Sequence, residues 1–566
     1  MILTALGEII SLGSAFPFLA ALGNTKRLLE SPNWQPLWSS LGVTEPFQVI
    51  VWLGLGFSFA VMASNALRLV TLWCQNNFSA ILTSDLSCEV YRRTLYQPYH
   101  FHVRHSSNEL IATIGHDISG VSTVLSGILA LMVNSIIVLC LFLSVVVISP
   151  NVALTATAFL GITYLLIFRL TRNALVTNGY VLSDQNQVLI KFLQEGLGGI
   201  REVILEGSQG LFEGRYRKAD RTFRKALAKN VIIIQCPRFL IEAAAMIFIA
   251  ILAVVMSSRV DDLSQVLTIL GILALAANRL LPALQVCFSS LAGIKSYQAS
   301  MKKVLDVLHL QVPPMGAALP PLPIKKDIQF EDVWFRYSEE HPWVLQDLSL
   351  GIQANTTVGF VGSTGSGKST TADLILGLLQ PDKGQILVDG QSLTGERLKS
   401  WQRTVAHVPQ HIFLSDTTVA ENIAFGIPAS EIDLDRVKWA AEMAQVSEFI
   451  EGRPEGYHEI VGERGVRLSG GQRQRIGIAR ALYKQASVIV LDEATSALDN
   501  ATEREVMAAV ERLSGQVTII LIAHRLSTVE RCDLIIELEQ GQVAAQGTYQ
   551  DLLSHSETFK RMAGVV

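Results

Sequence analysis

Between Ile118 and Phe168 the chain carries no Asp, Glu, Lys or Arg. About 20 apolar residues of helix cross a bilayer, so this stretch is long enough for two crossings, and water-exposed folds do not accommodate it. Ser149, Pro150 and Asn151 divide it at a tight turn. The run from Phe47 to Leu67 is uncharged too. Phe239 to Ser258 is mostly apolar, Leu263 to Ile294 is broken only by Arg279, and Met1 to Leu22 holds Glu8 alone. A cleaved signal peptide has a basic region ahead of its apolar core; none precedes this one, so the first run reads as a spanning helix and the spans number six. Composition agrees. A mean hydropathy of +0.35 with 17% charged residues is too apolar for a soluble protein of this size. The formal net charge of -4 gives no electrostatic basis for a nucleic-acid partner. The six cysteines are scattered without a CxxC pair, which argues against a disulfide framework or a zinc site and leaves them as packing residues.

Loop charge orients the spans. Arg215, Arg217, Lys218, Arg221, Arg224, Lys225 and Lys229 lie between Arg169 and Arg238, and the segment 75–118 holds Arg92, Arg93 and Arg104, whereas the turn at Pro150 has no basic residue. The positive-inside rule places both basic segments in the cytoplasm, as helices continuing well out of the membrane. On the outer side, Gly23 to Pro46 mixes Trp34, Leu37, Trp38 and Leu41 with polar residues. It reads equally as an interfacial segment on the outer leaflet or as a loop in an aromatic belt.

Near residue 312 the texture changes to the Pro-rich "QVPPMGAALPPLPIKK", followed by strand-like segments such as "DIQFEDVWFRY" and "QILVDG". The expected organisation is a six-helix transmembrane domain over 1–311, a linker over 312–325 and a soluble α/β domain over 326–566. Within the last lies "VGFVGSTGSGKST", an apolar strand, then Gly362, Ser363, Thr364, Gly365, Ser366, Gly367, Lys368, Ser369 and Thr370, then a helical run. This is a phosphate loop in its strand-to-helix setting. Glycines let backbone N–H groups wrap the phosphates of ATP, Lys368 reaches the terminal phosphates, and Ser369 offers a hydroxyl to Mg²⁺. A second apolar strand in "ASVIVLDEATSALD" ends in Asp492 and Glu493, suited to hold Mg²⁺ and to polarise the attacking water. A third, "TIILIAHR", delivers His524, either to the γ-phosphate or to a structural hydrogen bond.

"LSGGQRQRIGIARAL", with Leu468, Ser469, Gly470, Gly471 and Gln472, resembles the signature motif of ATP-binding cassette (ABC) transporters. The resemblance spans about 320–560, with the motifs in family order. It implies that Tyr337 stacks on adenine, that Gln410 in "VPQ" is the Q-loop residue acting in catalysis and toward Mg²⁺, that Asp499 is the D-loop aspartate, and that "GERGVRLSGGQ" with Glu463 is the X-loop stretch. Ser469 and its glycines open a helix, and a helix N-terminus binds anions; in this family the anion is the γ-phosphate held by the opposite subunit. One chain carries one of each half-site, so the resemblance implies a homodimeric half-exporter whose cassettes close over two ATP. Coupling segments are expected near Pro98 to Ser107 and Ile204 to Tyr216. Such exporters usually carry an elbow helix before the first span, and this sequence starts inside an apolar run.

For the cargo, three arginines stand in or beside apolar runs: Arg68, Arg238 and Arg279. Ionisable residues at membrane depth are costly and usually face a functional cavity, and arginine suits bidentate capture of phosphate. Arg68 and Arg238 read equally as helix-end residues snorkelling to an interface. "NALRLVTLWCQNNF", "YRRTLYQPYHF", "GGIREVILEG" and "NRLLPALQ" resemble the bacterial lipid-linked-oligosaccharide flippases and their polysaccharide-export relatives. That resemblance implies a glycolipid carried across the inner (plasma) membrane, its pyrophosphate met by the arginines. The alternatives are a multidrug or general, lipid A-like exporter, a peptide exporter, and a non-transporting ATPase.

Overall fold

A computed structural model describes residues 2–23, 25, 34–148, 150–257, 263–312, 319–493, 503–504, 507–508, 512, 514–523 and 525–563. The chain divides into two compact units, one made of Met1–Gln97 and Arg104–Pro313, the other of Pro98–Val103 and Pro314–Val566.

Each of the six apolar runs lies within a long helix of the first unit. These helices are α1 (Ile2–Gly23), α2 (Pro46–Leu95), α3 (Ile118–Ile148), α4 (Pro150–Gly198), α5 (Gln209–Ser257) and α6 (Leu263–Ser296). Pro46 and Pro150 each open a helix, where a missing N–H costs nothing. By length and composition, three stretches among the described residues are able to cross a membrane: Pro46–Leu95, Ser107–Leu143 and Gln209–Ile251. Ala5, Val133, Ile137, Leu141 and Ala283 form one buried cluster that joins α1, α3 and α6. Between α1 and α2, a short helix Gln35–Ser40 turns Trp38 inward, 3% exposed, onto Ala21, Val43 and Val49. Trp34 stacks on Trp38 at 5.7 Å, while Leu37 remains exposed.

The helices continue well beyond the apolar runs, α2 to Leu95, α4 to Gly198 and α5 from Gln209, and each basic segment is then broken. After Leu95 the chain turns at Pro98, which cannot continue a helix, and forms the short helices Tyr99–Arg104 and Ser107–Ala112 before a π-helical turn, Thr113–Asp117, leads into α3. After Gly198 it passes through the helix Ile200–Leu205 and reverses at Gly207, whose φ is 59°. Both breaks fall on the segments expected to couple. Polar ties hold the neighbouring helices in register. Asp117, 1% exposed, accepts from Ser300 Oγ at 2.6 Å and Ser183 Oγ at 3.2 Å. Asn230 accepts from Asn178 Nδ2 at 2.8 Å and donates to Ser296 Oγ at 2.7 Å. Gly179 must be glycine, because a Cβ there would run into the Ser296 carbonyl.

The second unit contains two sheets among the described residues. A four-stranded antiparallel sheet has the order β2-β1-β4-β5, with β1 Asp327–Phe335, β2 Leu345–Gln353, β4 Lys383–Val388 and β5 Gln391–Ser392. The other has the order β10-β9-β3-β8-β7-β6, with β3 Thr357–Val361, β6 Val405–Val408, β7 Val488–Asp492, β8 Thr518–Ile522, β9 Leu534–Glu539 and β10 Gln542–Gly547. Its pairs β3–β8, β3–β9, β7–β8 and β6–β7 are parallel. Phe330, Leu348, Phe360, Leu374, Trp401 and Val490 share a buried core drawn from strands of both sheets, the helix after β3 and the helix Gly395–Thr404. Strands buried on both faces read as continuous apolar runs, which is why "VGFV", "VIVLD" and "TIILI" announce themselves in the sequence. Because β3, β7 and β8 are parallel neighbours, their C-terminal ends emerge along one edge, where doubly wound sheets bind ligands.

Candidate functional site

Strand β3 feeds directly into the phosphate loop. Gly362, Gly365 and Gly367 have φ of 144°, 83° and 103°, values that side-chain-bearing residues rarely adopt, and at Gly362 a Cβ would meet the Leu538 carbonyl and Ser366 Oγ. The loop therefore folds back on β9 as only glycine allows. It closes onto α7 (Lys368–Ile375), whose first N–H groups point into the turn. Lys368 is buried and donates from Nζ to the carbonyl oxygens of Gly362 at 2.8 Å and Ser363 at 2.9 Å. Ser366 Oγ is buried without a hydrogen-bond partner among the described residues, a hydroxyl aimed inside the cradle. Ser363, Thr364 and Ser369 line the exposed rim, and Thr370 Oγ1 lies 3.2 Å from the hydroxyl of Tyr337. Tyr337 packs edge-on against Phe335, with ring centroids 5.1 Å apart.

Asp492 closes β7 opposite Ile522 of β8. The next residue, Glu493, has φ 49° and donates its N–H to the Ile522 carbonyl at 3.0 Å. A left-handed turn directly after a buried strand swings the Glu493 side chain off the sheet, and Gln410, two residues beyond β6, donates from Nε2 to Glu493 Oε2 at 2.8 Å. The structure thus joins two residues chosen from separate motifs. Burial pushes the Lys368 ammonium down, while Glu493 and Asp492 pull it back up. These carboxylates stand close enough to the cradle for their fields to meet on Lys368. Asp373 of α7 escapes sequence reasoning: burial, then the charge of Asp492, push its carboxyl up to about 6.

The donor set fits Mg²⁺, a hard cation satisfied by oxygen ligands from few protein groups. Ser369, Asp492 and Gln410 would hold it, and bound there it would neutralise charge on the β- and γ-phosphates. The chain's own groups are placed for the rest: backbone N–H groups and Lys368 would bind the phosphates, and Glu493, held by Gln410, would polarise water. His524 and Asp499 lie outside the described residues.

Ser469 caps α8 (Gly470–Tyr483) in a reciprocal box: Gln472 N–H donates to Ser469 Oγ at 3.2 Å, and Ser469 N–H to Gln472 Oε1 at 2.8 Å. Glycines at 470 and 471 leave that helix end open to a close-approaching anion. Glu463 sits in a single 3₁₀ turn, Glu463–Gly465, before it.

In the first unit, Arg68 and Arg279 are brought together by a residue that sequence reasoning noted only as a lone charge. Glu8, 1% exposed, pairs through Oε1 with Arg68 Nε and accepts from Ser64 Oγ at 2.9 Å on the same oxygen; its Oε2 lies 3.6 Å from Arg279 Nη1. Arg238 does not join them. It is exposed on α5 and has no partner among the described residues.

Residues 345–496 match the family described as ABC transporter, and residues 11–278 match the ABC transporter transmembrane region. The chain is 36% identical over 365 residues to an ATP-dependent lipid A-core flippase of Alkalilimnicola ehrlichii, a match spanning 64% of this chain and 62% of that protein. It is 34% identical over 452 residues to the heterocyst differentiation ATP-binding protein HepA of Nostoc sp., spanning 79% and 73%. A lipid A-core flippase of Ralstonia nicotianae is 31% identical over 488 residues, spanning 84% and 80%. Among solved structures, a bacterial Atm1-family ABC exporter with ATP bound superposes with TM-score 0.80 at 24% identity, covering 99% of this chain and 98% of the other. It shares the fold: a helical membrane domain followed by an α/β nucleotide-binding domain.

Proposed function

The chain belongs to the ABC transporters, which couple ATP hydrolysis to transport, and from that premise we propose that it exports a phosphate-bearing lipid across a bacterial inner membrane as a homodimer. The observation that carries the cargo is the placement of Arg68 and Arg279 around Glu8, two guanidinium groups on long helices drawn from apolar runs. Guanidinium groups at membrane depth are retained for a ligand or a partner, and the cluster holds one more cation than carboxylates. Relatives named as lipid A-core flippases favour a phosphorylated glycolipid. A pyrophosphate-linked oligosaccharide lipid is the narrower member of that class. Its three-arginine grip has less support, since Arg238 stands outside the cluster.

Two ATP molecules close between the cassettes of the dimer, each held by one phosphate loop and the partner's signature helix. Pro98–Val103, grouped with the nucleotide-binding unit, carries closure to the membrane helices. Hydrolysis then resets the cycle. The positive-inside pattern puts the cassettes in the cytoplasm.

The test is ATP-dependent flipping in proteoliposomes of three fluorescent cargoes: a bis-phosphorylated glycolipid, a pyrophosphate-linked oligosaccharide lipid and a neutral amphiphile. Movement of either phosphorylated lipid, lost in Arg279→Gln, is expected. Flipping of the neutral amphiphile alone would reassign the protein to the multidrug exporters.

A further inference from the structure

We propose that Glu8 is a built-in competitor for the cargo: its carboxylate occupies the arginines at rest and is displaced by the anionic headgroup, which sets how much negative charge a lipid needs to enter. This deepens the exporter reading and rests on it.

Depth comes first. At 1.5 Å per helical residue, Arg68 lies about 33 Å from the outer end of α2, Arg279 about 24 Å from the outer end of α6 and Glu8 about 22 Å from the outer end of α1. All three fall in the inner part of a hydrocarbon core about 30 Å thick or at its cytoplasmic border. This is where a headgroup from the cytoplasmic leaflet would enter.

The grip is lopsided. Glu8 Oε1 is held by Arg68 and Ser64 together, but Oε2 makes no hydrogen bond among the described residues and meets Arg279 only at 3.6 Å. Arg279 has no hydrogen bond among the described residues, so its donors remain to be satisfied. Two guanidinium groups face one carboxylate, leaving one positive charge uncompensated in a medium that penalises it.

Carboxylate and phosphate are equivalent ligands for a guanidinium fork, so they compete for the same donors. Arginines without Glu8 would be filled by any phospholipid, and a bilayer contains these in vast excess over any cargo. With Glu8 present, a singly charged phosphate gains Arg279 alone. A headgroup with two or more negative charges can take both arginines and release Glu8. Glu8 thereby acts as a specificity-determining residue without belonging to the chemistry of ATP.

The experiment uses the full chain in phosphatidylcholine vesicles and reads ATPase stimulation against added lipid: a bis-phosphorylated glycolipid and, separately, phosphatidylglycerol. In Glu8→Gln, the glycolipid concentration for half-maximal stimulation should fall about tenfold, one charged hydrogen bond's worth, and phosphatidylglycerol should begin to stimulate. Glu8→Asp should restore discrimination between the two lipids. Arg279→Gln, which leaves Glu8 held by Arg68 and Ser64, should raise the half-maximal concentration even if Glu8→Gln does not fold. An unchanged half-maximal concentration and unchanged selectivity in folded Glu8→Gln, or an unaffected Arg279→Gln, would overturn the inference while leaving a lipid exporter standing. A wild type that hydrolyses ATP but responds to neither lipid would remove the phosphorylated-lipid cargo and the inference together.

Discussion

Replacing Arg68 by alanine strands a carboxylate. Glu8 is 1% exposed, with Arg68 and Ser64 on one oxygen and Arg279 at 3.6 Å from the other. Removing one partner from a buried ion pair costs about 3–5 kcal/mol. Since Ser64 and Arg279 remain, the lower end applies, about 3 kcal/mol. Adding Glu8→Gln removes the stranded charge. The amide keeps the shape and still accepts from Ser64, so the double variant should lie about 1 kcal/mol below wild type. The second substitution thus restores roughly 2 kcal/mol of what the first removes, the non-additivity expected of residues in contact. The assay is thermal unfolding of the full-length protein in lipid nanodiscs, comparing wild type, both single variants and the double variant at fixed lipid and nucleotide. A two-domain membrane protein does not unfold in two states, so the order of midpoints is the readout. The double variant should unfold above Arg68→Ala; unfolding at or below it would refute a buried Glu8 held by these partners. The result also governs transport tests, because an arginine-to-alanine variant loses a folding contact as well as the proposed cargo contact.

Glu493→Gln should lower ATP turnover about 10²–10⁴-fold, the worth of a positioned general base, while phosphate-loop contacts keep nucleotide affinity near wild type; steady-state phosphate release and equilibrium nucleotide binding separate the two. Asp373, held up to about 6, binds its proton more tightly folded than unfolded, so stability falls as pH rises from the ordinary carboxylate range through 6. Asp373→Asn should therefore unfold at a higher temperature than wild type at pH 7.5, with the gap closing toward pH 4, and a pH-independent gap would discount the burial. Ser469→Ala removes one side of the α8 capping box, a loss of about 1 kcal/mol. It should cut turnover about tenfold or more yet spare binding to the separate cradle; equal loss of both would argue against a role in trans.

The cradle was legible because each position demands a residue type: Gly362, Gly365 and Gly367 take backbone angles that exclude other residues, and Lys368 and Ser369 follow at fixed spacing. The six long helices were legible because a bilayer tolerates little but uninterrupted apolar sequence. The breaks beyond the membrane were less so. Pro98 is a plain stop, but the π-helical turn at 113–117 has no residue signature, and the bonds that tie Asp117 at its end to Ser183 and Ser300 are tertiary. The arginine site was half read. Arg68 and Arg279 are conspicuous in apolar sequence, yet their partner Glu8 sits on a different helix from either, and no periodicity links positions so far apart. Likewise Gln410 and Glu493 were each found by motif, but the hydrogen bond between them follows from the parallel order β8-β7-β6. Asp373 carries no motif; only burial beside Asp492 marks it.

Pro98–Val103 belongs to the same compact unit as Pro314–Val566. On the ribosome, that small helix is made early and must wait while four membrane helices are threaded before the rest of its unit exists. The nucleotide-binding unit is thus not a bead added at the end of the chain. It draws on two stretches of chain that synthesis separates, so it is complete only after all the residues between Val103 and Pro314 have been made.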